Sequence, residues 1–269
     1  MKVAIYKNDV EHTVAVAKEL EYLLQQHSDT VQIDVKHPEV VISVGGDGTL
    51  LSAFHHYAEF ADEVRFVGVH TGHLGFYADW QHFELEALVE SLLADEGRTV
   101  KYPLLEMTVR YKTGAEEKVL AVNEAAIKRP QGTLVADVFI DGERFERFRG
   151  DGLTAATPTG STAYNKANGG AVLHPSLESI QLSEIASINN RVFRTLGSPL
   201  VVGPNQVIRI GAIQSDAPVT LSYDHLNIMT KEIAWVEFRV AKATIAFAEY
   251  RHTPFWHRVH NSFIGDEVE

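Results

Sequence analysis

The sequence predicts an α/β domain followed by an all-β domain, and three observations predict it. Over the first hundred residues, apolar strand-like runs alternate with segments whose apolar residues recur at helical spacing, as in a mostly parallel sheet. At Tyr102-Pro103 the character changes to short strand-like segments separated by turn residues, the pattern of a sandwich. Inside the first part, residues 40–56 (VVISVGGDGTLLSAFHH) read as strand, glycine turn and helix. Ligands of open α/β sheets bind beyond the carboxyl ends of the strands, so Asp47 in that turn stands where chemistry belongs.

Taken in order, residues 2–6 form a first strand. Val14, Ala17, Leu20, Leu23 and Leu24 recur at helical spacing and predict a helix over 11–26. A second strand covers 32–35. Val40, Val41, Ile42 and Val44 make a buried strand, and Thr49 is placed to cap the helix that follows. Another strand covers 65–70, and residues 82–94 suit a helix. Beyond Pro103, strands are expected at 104–111, 118–127, 134–140, 143–148, 153–157, 200–202, 206–213, 218–223, 233–240 and 243–249. Two helices interrupt them, one after Pro158-Thr159-Gly160-Ser161 and one over roughly 178–187. The aromatic, amphipathic tail from Pro254 to Ile264 is expected to pack back on a domain. The organisation is a Rossmann-like N-terminal α/β domain over 1–101, a C-terminal β-sandwich over 102–250, and a tail over 251–269.

The 269 residues carry a net charge of −12 and contain no cysteine. The charge argues against a nucleic-acid partner, whose recognition needs a basic footprint, and against an anionic membrane surface. Lack of cysteine excludes disulfides and thiolate metal sites and fits a reducing compartment. No apolar run reaches the roughly 20 residues of a membrane span, and MKVAIYKND lacks a signal-peptide core. A cytoplasmic protein is the expectation.

Four stretches carry polar groups that a scaffold does not need. The glycines around Asp47 let main-chain N–H groups approach phosphate oxygens; no Walker or dinucleotide glycine fingerprint is present, and a tight turn with an incidental Asp explains the same residues. Asn123-Glu124 lie inside an apolar strand, where neighbours face opposite sides unless a bulge or strand end redirects one. Asn suits an adenine edge and a carboxylate suits ribose hydroxyls; two solvated groups at a strand end are the plain alternative. Arg149-Gly150-Asp151-Gly152 pairs a phosphate-clamping cation with a second glycine-flanked Asp, or is a surface turn. Thr157 to Lys166 read as a helix N-terminus with spare donors; Tyr164 is placed to stack on a planar ring and Lys166 to meet a phosphate, unless Tyr164 is simply core. Among the thirteen histidines, His70-x-x-His73 has the best metal spacing but no matching carboxylate, and no metal site is assigned.

Together these stretches resemble the bacterial NAD kinases, in the short Gram-positive form. The matching pieces are Gly45-Gly46-Asp47-Gly48-Thr49, the turn 71–76 ending in Gly75-Phe76, Asn123-Glu124, Arg149 to Gly152, Thr157 to Tyr164, and Asp224-His225. The resemblance implies an ATP-dependent phosphorylation of the adenosine 2′-hydroxyl of NAD, giving NADP. It implies NAD between an α/β domain and a β-sandwich, a tail on the N-terminal domain, and a homotetramer. It makes Asp47 the base, flanked by Gly46 and Gly48 with Phe76 nearby. Asn123 and Glu124 would hold the adenosine, and Glu124 stands where many members carry Asp. Arg149, Asp151, Thr159, Ser161, Thr162, Ala163, Tyr164, Asn165, Lys166, Ala167 and His225 would line the rest of the dinucleotide site. Ala186 and Ile188 match positions where a neighbouring subunit reaches it.

Phosphoryl transfer to an alcohol needs a base at the hydroxyl and a divalent ion on the phosphates. With no three-carboxylate cage in the sequence, Mg²⁺ is expected to arrive with ATP. The rival enzyme is a lipid or sugar-phosphate kinase using the same glycine loop; the lack of a basic amphipathic helix counts against the lipid version. The non-enzyme rival is a dinucleotide sensor.

Overall fold

The computed structural model describes residues 1–72, 75–214, 218–230 and 232–265. The chain divides into two units, Met1–Lys101 with Thr244–Glu269, and Tyr102–Ala243.

The first unit is built on β1 (Lys2–Lys7), α1 (Glu11–Gln25), β2 (Gln32–Ile33), β3 (Val40–Val44), α2 (Asp47–His56), β4 (Arg65–His70), β5 (Trp80–Gln81) and α3 (Leu85–Leu93). The strands pair in parallel in the order β2-β1-β3-β4, and β4 pairs β5 at its carboxyl end. β3 is buried at every residue, as a strand covered on both faces must be. Val16, Leu20 and Leu24 of α1 and Leu85, Leu88 and Leu92 of α3 form one core with Val3, Ile42, Val44 and Val69. On the opposite face Phe54 of α2 meets Phe66 of β4, ring centroids 6.0 Å apart. The glycine loop between β3 and α2 therefore leaves the carboxyl end of a central strand.

The second unit holds β6 (Thr99–Tyr111), whose first three residues belong to the first unit, then β7 (Glu116–Ala121), β8 (Glu124–Lys128), β9 (Leu134–Ile140), β10 (Glu143–Gly150), β11 (Gly152–Ala156), the one-turn helix α4 (Tyr164–Ala167), β12 (Ile180–Ile185), β13 (Leu200–Val202), β14 (Ile208–Gln214), β15 (Val219–Tyr223) and β16 (Leu226–Thr230). β17 (Ile233–Ala248) follows and reaches the first unit at Thr244. One antiparallel layer runs β10-β9-β14-β17; the other runs β13-β12-β11-β8-β15-β16. Their alternating inward residues, including Ala136, Val138, Ile210 and Phe238 from one layer and Ile127, Leu153, Leu182 and Leu221 from the other, share one core. That is the expected sandwich.

The elements depart from the expectation in several places, among them an unexpected short strand at Trp80–Gln81 and a second strand that covers only Gln32–Ile33. Helix α2 begins at Asp47 with Gly46 as its N-cap, and Thr49 makes no cap bond; its hydroxyl accepts from Asn8 Nδ2 at 3.1 Å instead. The strand expected over 118–127 breaks at Val122-Asn123. Residues 180–185 are a strand, not a helix: Ile180 and Leu182 enter the core while Gln181 and Ser183 bond to Ala171 and Asn165 on the other face. The helix after Ser161 shrinks to a 3-10 turn, Thr159–Thr162, and α4. Leu226–Thr230 is an edge strand whose half-exposed alternation is too weak to see in sequence. The strands expected at 233–240 and 243–249 are one, and its end pairs in parallel with β4 through Ala246 and Phe247. That pairing puts 244–250 in the first unit rather than in the sandwich. The tail forms α5 (Phe255–Phe263), also in the first unit.

Candidate active site

Asp47 opens α2, and its carboxylate accepts the main-chain N–H of Phe76 (2.8 Å) and of Tyr77 (3.0 Å). These two bonds fix the carboxylate plane and leave each oxygen a second acceptor site. Two of the surrounding glycines are required sterically. Gly45 has φ +146°, and a Cβ there would lie 2.4 Å from Thr49 Oγ1. A Cβ on Gly75 would lie 2.2 Å from Asp47 Oδ1. Gly46 and Gly48 have open space at the Cβ position, and both line a cavity of about 570 Å³ with Asn8, Thr49 and Ser52.

The turn that grips Asp47 is itself gripped by the tail. Arg258 of α5, only 8% exposed, donates to both oxygens of Asp79 at 2.7 and 2.8 Å and to the Phe76 carbonyl. The Phe76 ring lies against Phe255 and Phe263, centroids 6.3 and 5.9 Å away. Sequence reasoning missed Arg258 and Asp79, which lie 179 residues apart in the chain. His73 lies outside the described residues, and so does the centre of the 71–76 turn; His70 Nδ1 pairs with the Gly72 carbonyl at 2.9 Å.

The second unit gathers another set. At the break between β7 and β8, the Asp224 carboxylate accepts from the N–H groups of Val122 and Asn123 at 3.0 and 2.7 Å. Thr157 Oγ1 donates to the Val122 carbonyl (2.6 Å) and the Thr157 N–H to the Asn123 carbonyl (2.9 Å). Gly160 packs so closely that a Cβ would lie 2.0 Å from the Asn123 carbonyl oxygen. Glu124 is the first residue of β8, opposite Ala156 of β11. Tyr164 donates its N–H to the Glu124 carboxyl, and burial first, then the charge of Asp224, pushes that carboxyl up to about 8.

The reading of Thr157 to Lys166 as a helix N-terminus with spare donors is corrected for the hydroxyls of Thr157, Ser161 and Thr162, which are spent on main-chain carbonyls. Ser161 Oγ donates to the Pro158 carbonyl (2.6 Å) and accepts from Leu173 N (2.9 Å). Thr162 Oγ1 donates to the Thr159 carbonyl at 3.2 Å. Asn165 is fully buried and accepts from Ser183 Oγ at 2.8 Å. These groups hold the segment's own shape, because a chain that turns twice within ten residues has many main-chain groups to satisfy. Thr159 Oγ1 is buried with no hydrogen-bond partner. The Tyr164 ring is partly exposed, with Lys128 Nζ 5.1 Å from its centroid; Ala163, Lys166 and Ala167 are exposed.

Arg149 lies with its guanidinium 4.1 Å from the Phe193 ring centroid. The Ile188 N–H donates to the Arg149 carbonyl (2.8 Å) and the Asp151 N–H to that of Ile185 (2.9 Å). Ala186, at φ 47°, turns the chain between them. Asp151 and His225 are exposed, the latter in the turn that carries Asp224. Among the described residues no group of three His, Asp or Glu side chains could hold a metal ion, and no helix is long and apolar enough to cross a membrane.

Comparison with known proteins agrees with this arrangement in both halves. The ATP-NAD kinase N-terminal domain family matches residues 4–97 and the ATP-NAD kinase C-terminal domain family matches 122–249. An NAD kinase from Leuconostoc mesenteroides is 56% identical, covering 99% of each chain. One from Enterococcus faecalis is 54% identical over 99% of this chain and all of its own. The fold is similar to that of yeast NADH kinase complexed with NADH, at TM-score 0.84 and 21% identity, covering all of this chain and 88% of that one. An Archaeoglobus fulgidus NAD kinase in complex with ATP has TM-score 0.76 at 22% identity, covering 98% and 97%. With both of its halves matched and full-length relatives above half identity, this chain belongs to the NAD kinase family.

Proposed function

We propose that the chain transfers the γ-phosphate of ATP to the 2′-hydroxyl on the adenosine side of NAD, giving NADP and ADP. The observation that carries the reading is Asp47: a carboxylate held by two main-chain N–H groups at the end of a parallel strand, in a chain whose relatives over 99% of its length are NAD kinases. Asp47 takes the hydroxyl proton as the 2′-oxygen bonds to the γ-phosphorus; the β–γ bridging oxygen leaves with ADP. Among the described residues each Asp47 oxygen keeps a second acceptor site, which the proton transfer needs. The open faces of Gly46 and Gly48 leave room for phosphate oxygens.

Asn123 and Glu124 hold the adenosine, with Tyr164 stacking and Arg149 and Lys166 supplying positive charge. Phe76, Asp151, Thr159, Thr162, Ala163, Ala167 and His225 complete the dinucleotide surface; Ser161 and Asn165 shape it from behind. A divalent ion arriving with ATP would neutralise charge on the phosphates, with phosphate and water oxygens as its ligands. Ala186 and Ile188, on an exposed loop beside Arg149, are offered to a neighbouring copy in a homotetramer, and a cysteine-free chain fits the cytoplasm.

Incubation with ATP, Mg²⁺ and a panel of NAD, diacylglycerol and sugar phosphates tests the reading. NADP formation with ADP release is expected. NAD left untouched while a lipid or sugar phosphate gains phosphate would overturn it, as would NAD binding without turnover. Light scattering should give about four times the 29.9 kDa chain mass; a monomer at micromolar concentration refutes the tetramer.

A further inference from the structure

Asp224 occupies the turn between β15 and β16 at φ 49°, in the left-handed region. Its carboxylate faces three consecutive N–H groups, those of Val122 (3.0 Å), Asn123 (2.7 Å) and Glu124 (3.4 Å). Its own N–H donates to the Glu124 carbonyl at 2.9 Å. Converging amides of this kind make an anion-binding concavity, and here the chain supplies the anion itself. Thr157 takes the carbonyls of Val122 and Asn123 from the other side. Every main-chain polar group of Val122 and Asn123 is thus tied, which fixes the chain just ahead of Glu124.

We propose that Asp224 is a positioning residue for dinucleotide binding: it fixes the main chain at Val122–Glu124 and so sets how Glu124 is presented to the ligand. The inference rests on the dinucleotide reading of this site. The groups that face Glu124 are few among the described residues. Asp224 comes from the β15–β16 turn, the Tyr164 N–H and ring from α4, and Lys128 from four residues along β8, with its Nζ over the Tyr164 ring. Glu124 Oε2 is buried without a hydrogen-bond partner. Burial and the Asp224 charge both favour the neutral acid, while the Tyr164 N–H and Lys128 oppose them. Near neutrality the carboxyl therefore keeps its proton and offers a ribose hydroxyl both a donor and an acceptor. Above about pH 8 it only accepts.

The test is NAD binding by calorimetry across neutral and alkaline pH, with the Glu124 carboxyl followed by carbon-13 NMR in the ligand-free, full-length chain. The parent's affinity is expected to change with a midpoint near pH 8. Glu124→Gln should abolish that midpoint. Asp224→Asn should move it, and the NMR titration, to lower pH and weaken binding by about tenfold, since one amide oxygen cannot serve three donors. Asp224→Glu keeps the charge on a longer arm; it should hold the alkaline midpoint and lose affinity. NAD affinity and Glu124 titration unchanged in Asp224→Asn would overturn the proposal alone. Failure of both Asp224 variants to fold would assign the residue to the fold and overturn it too. A parent that binds no NAD overturns the functional reading as well, and the NMR titration then shows separately whether Asp224 sets the Glu124 charge.

Discussion

Gly75→Ala is a methyl-sized perturbation aimed at the proposed base without touching it. The added Cβ would lie 2.2 Å from Asp47 Oδ1 and 2.8 Å from its Cγ. Ordinary contact requires something to move by roughly 1 Å. The turn itself is poorly placed to yield. Arg258 holds the Phe76 carbonyl and Asp79, and the Thr253 N–H also donates to Asp79 at 3.1 Å. The carboxylate therefore swings away and gives up its bonds to Phe76 and Tyr77. Charge-assisted bonds of this kind are worth roughly 1.5–3 kcal/mol when buried. Asp47 is only half-buried and recovers water, so we expect a loss near the lower figure, or a Tm drop of roughly 2–4 °C per kcal/mol. The kinetic effect should be larger: a base misplaced by about 1 Å costs on the order of 10²-fold in kcat. The assay is NADP formation, with NAD affinity measured in parallel and expected to change little. Gly72→Ala is the control, since nothing lies within 4 Å of a Cβ there. A Gly75→Ala protein with kcat within about twofold of the parent would refute the claim that this turn orients the base.

Three further outcomes are expected. Asp47→Asn keeps the shape and removes the base; NADP formation should fall by about 10²–10⁴-fold with NAD affinity retained, read across a Mg²⁺ series. Rescue by excess Mg²⁺ would instead mark Asp47 as a metal ligand, and near-parental activity would make it a structural turn. Arg149→Ala should weaken NAD binding by roughly 1.5–3 kcal/mol and loosen the contact with Phe193; calorimetry showing unchanged affinity would leave Arg149 a surface residue. Asp95→Asn removes half of the bidentate pair with Arg65, whose bonds are 2.7 and 2.5 Å long. The Arg65 hydrogen bond holds the Asp95 carboxyl below its usual range, so its stabilisation is present above the unfolded value of about 3.9 and is lost as pH falls through the lower folded one. Melting curves should show the parent losing Tm more steeply than the variant in acid, with the variant about 3 kcal/mol weaker at neutrality; parallel curves would contradict the pairing.

The first unit was the more legible half, because its strands and helices announce themselves locally. β3 is a run of β-branched residues buried on both faces, and α1 repeats its apolar positions at helical spacing. Most of the second unit's strands were found from turn residues, but Leu226–Thr230 was missed and Ile180–Ile185 was misread. Its Gln181 and Ser183 are buried against Ala171 and Asn165, partners that no local pattern reveals. The tail's aromatic residues were visible, yet its role in holding Phe76 and Asp79 through Arg258 was not.

By itself the sequence determined where most of the strands and the glycine turn fall, that Asp47 stands at a strand's carboxyl end, and which family the motifs resemble. Those are properties of neighbours in the chain: apolar period, glycine placement and short-range order. Tertiary structure alone decided what each polar group is free to do. It spent the hydroxyls of Thr157 and Ser161 on main-chain carbonyls. It set Asp224 under the N–H groups of Val122 and Asn123, across about a hundred residues of sequence. It placed Gly75 against the carboxylate of Asp47. The physical reason is that a buried hydrogen-bonding group must find a partner wherever the fold brings one within reach, and that distance in space is not written in the local pattern of residues.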